Sequence, residues 1–517
     1  MFNKINLING NFITLDKHCP KASSISINNG KISAINALDP KAKNIDLKNS
    51  TIIPGFIDAH FHLKNFGKRL TDLNLKNSTS AEDIVQMVKN KAQSLPNGMW
   101  IEGFGWDQTK WINNGYPKKH LLNEHVPNHP VILTRIDGHS AWINQSAIKK
   151  SDKNLDQLKS INGGQIINDC IFIDNAMNQI TKLLPLESIE KIETWIETAT
   201  KKIIERGITN VHDAWQDTYI VKAINNLIKK NKFPIRCYGM LASSDKKLLN
   251  TFFKNGHQIN ELYTIRSVKA FIDGALGSRG ASLLKPYNDD PHNCGLVLIT
   301  FDEFLELAEK CKQSGFQLCT HAIGDNGNRI VLDVYDKKIK NVQNHRWRIE
   351  HAQMVADEDI PRFKKNNILP SMQPSHCTSD MRWMKNRIGE SRMARISRWQ
   401  TFISNGNKIP GGSDCPIEEG NPIFEYFAAV TRQDHTGFPK GGWQPQEKID
   451  RINALKMFTT WAAFGEFSEH RRGKIFPGFD ADLTVLSDDI TKCSDRKILN
   501  IEPLMTIIGG KIVYSKI

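Results

Sequence analysis

Eight short apolar runs recur along the chain, and helical patterns separate most of them. In two of the separating segments, 301–314 and 328–341, apolar residues return every three or four positions, as on one face of a helix. Buried strands that alternate with helices indicate a parallel sheet, and eight β-α units close a barrel. The predicted strands are 53–60, 207–214, 234–241, 265–273, 316–322, 347–352, 369–374 and 408–414. We therefore predict an α/β fold with a TIM-like (β/α)8 barrel in residues 54–474.

The two ends of the chain have a different pattern, in which apolar and polar residues alternate with a period of two. This alternation predicts short strands, and Asn9-Gly10, Asn29-Gly30 and a Gly-Gly pair near the C-terminus predict turns between them. Because both ends show the same pattern, we expect their strands to form one domain. We predict a composite β-sandwich domain from residues 1–53 and 475–517.

The connection after the first predicted barrel strand, approximately residues 64–185, is too long for an ordinary βα loop. It contains two further strand-like runs, GMWIEGFG and PVILTRI. We predict that this segment is an insertion over the barrel mouth.

Composition restricts the class of protein. The chain has 517 residues, of which 39% are hydrophobic, enough for a large buried core. No apolar run reaches the roughly 18–20 residues of a membrane span, and the N-terminus lacks a signal-peptide pattern. The nine cysteines are scattered without a C-x-x-C pair, which is typical of reduced thiols. We expect a cytoplasmic protein with no membrane partner.

The formal net charge of +14 raises the alternative of a nucleic-acid-binding protein. The excess charge is spread over segments such as KKIKNVQN and NNLIKKNKF, without an arginine stripe or zinc-finger spacing. We interpret the charge as a solvated basic surface and expect no nucleic-acid partner. Binding to nucleic acid would depend steeply on salt.

Polar side chains stand at the ends of several predicted strands. A strand sends residues i and i+2 to the same face, so His60 and His62 can converge on one ion. Other strand ends carry Lys269, His321, His351 and Asp414. Barrel enzymes perform their chemistry at the carboxyl ends of the strands, and imidazole and carboxylate ligands suit a divalent ion such as zinc. The pattern predicts a catalytic metal site.

The motifs at these positions resemble a known family. PGFIDAHFH, the strand-borne lysine, the two later histidines and GGSDCP resemble the metal-dependent amidohydrolase superfamily. Further segments resemble its amidohydrolase 3, or YtcJ-like, branch and cover most of the chain: DGHSAWIN, KAFIDGALGSRGASL, HAIGDNGNRIVLDVY, RIEHAQMV, SMQPSH, GSDCPIEEGNP and the tail ALKMFTTWAAFGEF with RRGKIFPGFDADLTVLSDD.

The resemblance implies roles for the strand-end residues. His60 and His62 would hold one metal ion, while His321 and His351 would hold a second or shared ion. Asp414 would lie beside the reactive water, as a metal ligand and a catalytic proton carrier. Lys269 would be a carbamate that bridges two ions; the alternative is a plain lysine paired with Asp273 or with a substrate anion.

Other residues have more than one interpretation. Asp58 either accepts a ring N–H from a histidine and fixes its tautomer or makes a plain strand-end turn. His139 is predicted to be catalytic at the barrel mouth, and His212 is a second candidate for contact with the substrate. Cys415 lacks the partners of a nucleophile. Five tryptophans are candidates for an apolar pocket or for core packing: Trp106, Trp142, Trp215, Trp383 and Trp443.

We predict a hydrolase of non-peptide carbon–nitrogen bonds in a small molecule of amide, N-acyl or N-formyl type, with one or two divalent ions, preferably zinc. Deamination or ester hydrolysis at the same site is the first alternative, and a catalytically silent barrel that serves as a scaffold is the second. The sequence leaves open whether the protein forms a homo-oligomer.

Overall fold

We describe the protein from a computed structural model, which covers residues 4–113, 115–136, 140–161, 164–185, 187–340 and 342–517. The chain forms two compact units. The larger contains residues 1–63 and 199–517, and the smaller contains residues 64–198.

Short strands and amphipathic helices alternate through most of the described chain. In chain order the strands are β1 Ile5–Ile8, β2 Asn11–Ile13, β3 Lys21–Ala22, β4 Ile25–Asn28, β5 Lys31–Ile35, β6 Lys43–Asp46, β7 Thr51–Pro54, β8 Phe56–Phe61, β9 Leu73–Asn74, β10 Ile101–Trp106, β11 Val131–Arg135, β12 Ser140–Ile143, β13 Gly164–Ile167, β14 Ile171–Asp174, β15 Ile208–Gln216, β16 Arg236–Ala242, β17 Gln258–Ile259, β18 Tyr263–Phe271, β19 Gln317–Ala322, β20 Arg348–His351, β21 Leu369–Ser371, β22 Leu483–Leu486, β23 Pro503–Ile508 and β24 Lys511–Ser515. The α-helices are α1 Leu63–Thr71, α2 Ala81–Gln93, α3 Lys119–His125, α4 Gln145–Ile148, α5 Leu155–Lys159, α6 Asn175–Thr181, α7 Ile189–Glu205, α8 Thr218–Lys229, α9 Lys246–Asn255, α10 Phe301–Gln313, α11 Asp325–Ile339, α12 Ile360–Lys365, α13 Pro374–Ile388, α14 Trp399–Ser404, α15 Pro422–Thr431, α16 Arg451–Met457, α17 Thr460–Gly465 and α18 Asp495–Ile498.

Seven parallel strands form the barrel sheet, in the order β21-β20-β19-β18-β16-β15-β8. They coincide with seven of the eight predicted strands, with shifted ends. All seven are largely buried, as expected for parallel strands that helices cover.

The eighth predicted strand, 408–414, is wrong as a strand, although its backbone closes the gap between β21 and β8. Gly412 N–H donates to the Met372 carbonyl at 3.1 Å, and Ala59 N–H donates to the Gly411 carbonyl at 2.9 Å. A Cβ on Gly412 would lie only 2.4 Å from the backbone nitrogen of His60, so glycine is needed for this close approach. Asp414, whose φ is +56°, continues this contact, because its N–H donates to the His60 carbonyl at 2.7 Å.

Strands from both chain ends share one sheet of the larger unit. Its order is β24-β23-β22-β7-β2-β3, and a second sheet has the order β5-β4-β1-β6. Isoleucine, leucine and valine side chains from both sheets and both termini form one hydrophobic core.

The predicted turns in these sheets have different outcomes. Asn29 and Gly30, with φ of +51° and +76°, form the β4–β5 hairpin turn, and Gly509-Gly510 joins β23 to β24. Asn9-Gly10 is not a hairpin turn, because β1 and β2 belong to different sheets.

The smaller unit contains a sheet with the order β13-β14-β12-β11-β10-β9. The two predicted runs became β10 and β11, which pair in parallel. Trp106 and Trp142 are fully buried in its core, so they serve packing. The predicted insertion ended near residue 185, whereas the compact unit extends to Thr198, because the first half of α7 belongs to it.

The helices predicted at 301–314 and 328–341 correspond to α10 and α11. Thr300 and Glu303 form a capping box at the start of α10, and α11 begins earlier than predicted, directly after Gly324. None of the helices in the described ranges is both long and apolar enough to cross a bilayer.

Candidate active site

The carboxyl ends of the barrel strands bring the predicted histidines together. His60 lies near the end of β8, His321 on β19 and His351 at the end of β20. The ring centres of His60 and His351 are 4.9 Å apart, and those of His321 and His351 are 4.6 Å apart. His62, directly after β8, has its ring centre 5.5 Å from that of His60. Four histidines therefore surround one end of the barrel axis.

Asp414 lies among these rings. Its Oδ1 is 2.9 Å from His62 Nε2 and 3.5 Å from His60 Nε2. Burial by itself would raise the pKa of Asp414, but His60, His62 and His351 outweigh that effect and hold the pKa well below its usual range. The group is therefore a carboxylate at neutral pH. The backbone of Asp414 is left-handed, with φ of +56°. Strained backbone conformations of this kind are common at functional sites.

His60 is oriented by Glu350, a neighbour on β20. His60 Nδ1 and Glu350 Oε2 are 2.6 Å apart, and both side chains are buried. Burial and the Lys269 charge lower the pKa of His60, so the neutral ring donates its Nδ1 proton to Glu350. His60 Nε2 then carries the lone pair and points at the other site residues.

Asp58 does not have the first of its two predicted roles. Its Oδ1 accepts the His60 and Ser413 N–H groups at 3.1 and 3.0 Å, and its Oδ2 accepts the Ser413 hydroxyl at 2.6 Å. It thus ties β8 to the closing segment and fixes no imidazole tautomer. Burial raises its pKa to about 7.

His351 is oriented in the same way as His60, by an amide instead of a carboxylate. Its Nδ1 lies 2.8 Å from Gln373 Oε1, which leaves Nε2 for the site. Burial and the neighbouring His321 and His60 lower the pKa of His351 well below its usual value, so the ring is neutral. His351 and Ala352 both have positive φ, at +73° and +40°.

Lys269 is completely buried, with its ammonium nitrogen 3.5 Å from His60 Nε2. Burial lowers its pKa, against the attraction of Glu350 and Asp414. The predicted alternative of a pair with Asp273 is wrong, because the Asp273 carboxylate accepts the backbone N–H groups of Ser282, Ile323 and Gly324 instead.

His321 stands on the other side of His351 and has an unused ring nitrogen. Its Nε2 is buried without a hydrogen-bond partner and is 3.6 Å from Asp273 Oδ1. Burial and the Lys269 charge lower its pKa to about 3, so the ring is neutral. Phe271 packs against it, with ring centres 4.8 Å apart.

His376 is a site residue that the sequence reasoning missed. It lies on α13, and its ring stacks on His351 with centres 5.9 Å apart. Its Nε2 is buried without a hydrogen-bond partner and is 3.7 Å from Asp414 Oδ2. The segment SMQPSH supplied both His376 and Gln373, but α13 carries His376 back to the mouth, and no local pattern indicated that path.

Among the described residues, two groups of side chains have donor atoms close enough to share an ion. One consists of His60, His62 and Asp414, and the other consists of His351, His376 and Asp414. Within each group all the donor atoms lie within 4.8 Å of one another. Asp414 belongs to both, so it is the centre of the site.

Other predicted residues lie elsewhere. His212 is buried, with its Nδ1 3.0 Å from Arg348 and its Nε2 3.3 Å from Glu466, so among the described residues both ring nitrogens face structural partners and not the histidine cluster. His139 lies outside the described residues. Cys415 is buried, in agreement with a structural role.

Only one of the five tryptophans packs beside a site residue. Trp215 packs on Phe271, with ring centres 5.0 Å apart. Trp383 and Trp443 pack against a separate apolar cluster around Leu276 and Met354. The prediction of a tryptophan-lined pocket therefore has support at Trp215 alone.

Comparisons with known proteins give one consistent result. The sequence model of the amidohydrolase family matches residues 43–514. YtcJ of Bacillus subtilis (strain 168), which is named as an amidohydrolase, is 30% identical over 90% of this chain and 89% of its own. The N-substituted formamide deformylase of Arthrobacter pascens is 22% identical over 99% and 98%.

A solved structure has the same fold over nearly the whole length. The crystal structure of an uncharacterized metal-dependent hydrolase from Pyrococcus furiosus superposes with a TM-score of 0.80 and 28% identity. The match covers 95% of this chain and all of the other.

Proposed function

The chain belongs to the amidohydrolase family and is a hydrolase of carbon–nitrogen bonds, and on that premise we propose that it is a metal-dependent hydrolase of small N-acyl or N-formyl amines. The family resemblance found in the motifs is thereby confirmed. The observation that carries the proposal is the convergence of His60, His62, His351 and His376 on the Asp414 carboxylate.

The residues fit a divalent ion. His60 and His351 each have one ring nitrogen held by Glu350 or Gln373, which presents the neutral Nε2 to the site. His376 Nε2 is buried without a hydrogen-bond partner and lies 3.7 Å from the Asp414 carboxylate, an arrangement that a shared cation would satisfy. His321 Nε2 also lacks a hydrogen bond, but its near carboxylate is Asp273, at 3.6 Å. Imidazole nitrogens and one carboxylate are the donor set that zinc prefers, so zinc is our proposed ion.

We assign His60, His62 and Asp414 to one ion, and His351 and Asp414 to a second or shared one. His376 completes the second group, and His321 stands next to it. When bound, a divalent cation supplies a nucleophile from water at neutral pH and polarises the substrate carbonyl.

Lys269 has the properties that carbamate formation requires. Burial lowers its pKa, which eases loss of the proton to give the amine that reacts with carbon dioxide, and its nitrogen lies beside His60. The nitrogen would form a bond to the carbon of carbon dioxide and release one proton, leaving an anionic oxygen donor in place of a buried cation.

Asp414 is our proton carrier. As a carboxylate at neutral pH it can accept the proton of the attacking water and deliver it to the leaving nitrogen. His62 Nε2 lies 2.9 Å from Asp414 Oδ1, so the two side chains can hold the same ion while the second Asp414 oxygen is left for the proton. A leaving amine needs this proton because an amide anion is a poor leaving group.

The formamide deformylase among the relatives supports the N-formyl subclass, since it matches nearly the whole chain. Deamination and ester hydrolysis need the same attack on an electrophilic carbon, so the experiment must separate the products.

The test combines metal analysis with a substrate panel. The purified protein is assayed for metal content and then for release of amine, ammonia and alcohol from N-formyl amines, N-acyl amines, cyclic ureas, amino-acid amides and esters. We expect amine release that a chelator abolishes and a divalent ion restores. Ammonia or alcohol as the main product would replace the proposal with a deaminase or an esterase.

A pair of variants links the activity to the site. The double variant His60→Gln/His62→Gln should lose both metal and activity, whereas His257→Gln, which changes a ring bonded only to the Gly315 carbonyl, should keep both. Full activity in the double variant, or metal-free activity in the wild type, would contradict the proposal and favour another site, whereas a wild type that releases no product from the panel would favour the silent barrel.

A further inference from the structure

A cavity, which we call the amino-face cavity, opens at the end of the barrel opposite to the candidate active site. Its volume is about 460 Å³. Its walls include loop residues 342–346, which precede β20, residues 364–368, which precede β21, and residues 406–408, which precede the closing segment. Because these loops lead into the amino ends of parallel strands, the cavity and the histidine cluster lie at opposite faces.

The lining of the amino-face cavity is strongly basic. Its cationic side chains are Lys340, Arg346, Lys364, Lys365 and Lys408. None of the described residues that line it is acidic. Ion pairs elsewhere on the protein neutralise many surface lysines, but the four lysines here form no ion pair with a carboxylate of the described ranges.

Arg346 has an unused donor in this lining. Two of its nitrogens bind Glu469 at 2.8 and 2.6 Å, and one of these also binds the Phe464 carbonyl at 2.6 Å. Its third nitrogen, Nε, is buried without a hydrogen-bond partner. The Nε atoms of Arg266, Arg348 and Arg398 are buried in the same way, so this donor supports a ligand only together with the unpaired lysines.

The cations of the cavity repel one another. Lys408 lies over the Phe464 ring, 4.3 Å from its centre. Burial lowers the pKa of Lys408, and the charges of Lys364 and Arg346 lower it further against the attraction of Glu469. An anion placed among these groups would remove that repulsion.

We propose that the amino-face cavity binds a small diphosphate-bearing molecule. Several unpaired ammonium groups match an anion with more than one charge, and lysine and arginine are the usual partners of phosphate oxygens. The volume is within the range of small-ligand sites. The proposal does not depend on the reaction at the other face, because it uses none of the residues of the histidine cluster.

Calorimetric titration of the full-length protein tests the proposal. Pyrophosphate, orthophosphate and ADP are compared at constant ionic strength, so that general attraction to the +14 surface is held fixed. We expect pyrophosphate to bind more tightly than orthophosphate. Tighter binding of ADP than of pyrophosphate would identify a nucleoside diphosphate as the ligand, and weaker binding would identify free diphosphate.

Two double variants, each of which removes two positive charges, test whether the cavity is the binding site. Lys364→Gln/Lys408→Gln should weaken pyrophosphate binding by about tenfold or more, since two charged contacts are lost. The control Lys222→Gln/Lys254→Gln alters exposed lysines of α8 and α9, for which the structure gives no ion pair, and should retain wild-type affinity. Thermal unfolding of both variants verifies that each is folded.

Three results would overturn the proposal. These are no measurable binding of pyrophosphate to the wild type, equal weakening in the control variant, and an affinity for a short DNA duplex that the cavity variant loses to a greater extent than its affinity for pyrophosphate. Absence of binding would show that diphosphate is not a ligand. Equal weakening in the control would assign binding to the general surface charge, and the DNA result would assign the cavity to nucleic-acid phosphates.

Discussion

Two layers of polar side chains lie inside the barrel, and they differ in how their charged atoms are paired. In the lower layer, His212 Nδ1 lies 3.0 Å from Arg348 and its Nε2 lies 3.3 Å from Glu466. In the upper layer, several rings share one carboxylate: the Nε2 atoms of His60, His62 and His376 lie 3.5, 2.9 and 3.7 Å from Asp414. Histidine and carboxylate occur in both layers, so composition does not separate them.

The difference shows what distinguishes a structural cluster from a reactive one. Glu466 also accepts a hydrogen bond from Asn210 at 2.8 Å, and Arg348 donates to the Gly465 carbonyl at 2.6 Å, so both ring nitrogens of His212 face groups that the rest of the fold holds in place. In the upper layer, Glu350 and Gln373 bind the Nδ1 atoms of His60 and His351, which leaves their Nε2 atoms for the site. Several oriented nitrogens around one shared carboxylate are what a metal site requires.

The largest effect that this comparison predicts is on turnover. Asp414→Asn should lower kcat by roughly 10²–10⁴, because the amide cannot carry the proton, and should leave most of the bound metal in place. Hydrolysis of the best substrate of the panel and metal analysis measure the two quantities. Asp359→Asn, a buried aspartate bound to Arg329 and Arg362, is the control and should stay active. Activity of Asp414→Asn within a few-fold of wild type would remove Asp414 from the chemistry.

The next effect is on stability and belongs to the lower layer. Glu466→Ala should lower the free energy of unfolding by about 3 kcal/mol, because it leaves His212 and Asn210 buried without their acceptor and removes the carboxylate beside Arg472. Urea unfolding gives this value, and metal content should stay near wild type. Glu205→Ala breaks an exposed pair with Lys202 and should cost less than about 1 kcal/mol. If Glu466→Ala lost metal with little loss of stability, the two layers would not be separate.

A smaller effect should appear where the upper layer is oriented. Glu350→Gln removes the carboxylate behind His60 and should weaken metal binding about 10–100-fold. Competition with a chelator measures the affinity. Glu447→Gln changes another buried glutamate, which accepts bonds only from Thr401 in the described structure, and should leave metal affinity unchanged. Equal affinities in both variants would show that Glu350 serves packing alone.

The smallest change, counted per pH unit, is a pH dependence of stability at Asp58. Its pKa is about 7 in the folded protein because of burial, above the ordinary 3.8, so the folded state holds this proton more tightly. As pH rises from about 4 to 7, this group should therefore lower wild-type stability, with a slope of at most about 1.4 kcal/mol per pH unit. Asp58→Asn, which imitates the protonated acid, should lack this slope. Urea unfolding between pH 5 and 8 compares the two proteins, and parallel curves would contradict the assignment.

Much of the barrel was predictable because its signal is local. Seven of the eight predicted strands became β8, β15, β16, β18, β19, β20 and β21, since each run carries its own apolar pattern and its own flanking helix. The segment 408–414 failed as a strand because Pro410, Gly411 and Gly412 serve a close approach to β8 instead of a regular ladder. The Asn9-Gly10 turn failed because a turn signal does not say which sheet the next strand joins.

The site was predictable where function required unusual residues at strand ends. His60, His62, Lys269, His321, His351 and Asp414 all lie in one cluster, although their metal-binding roles stay predictions. Glu350, Gln373 and His376 were missed, because a buried glutamate beside a histidine, or a histidine in a helix, has no distinctive spacing. The role of Asp58 was left open between two interpretations, and the structure shows the turn-like one, with its carboxylate bound to Ser413.

By itself the sequence determined the strand-and-helix rhythm, the family and the set of polar residues at strand ends, because each of these is encoded in residues close together in the chain. Only the tertiary structure decided which partner each buried side chain has. Glu350 meets His60 from 290 positions away, and Asp414 meets His62 from 352 positions away. Such pairs arise from closure of the barrel, in which packing and not local preference brings distant groups within hydrogen-bond distance.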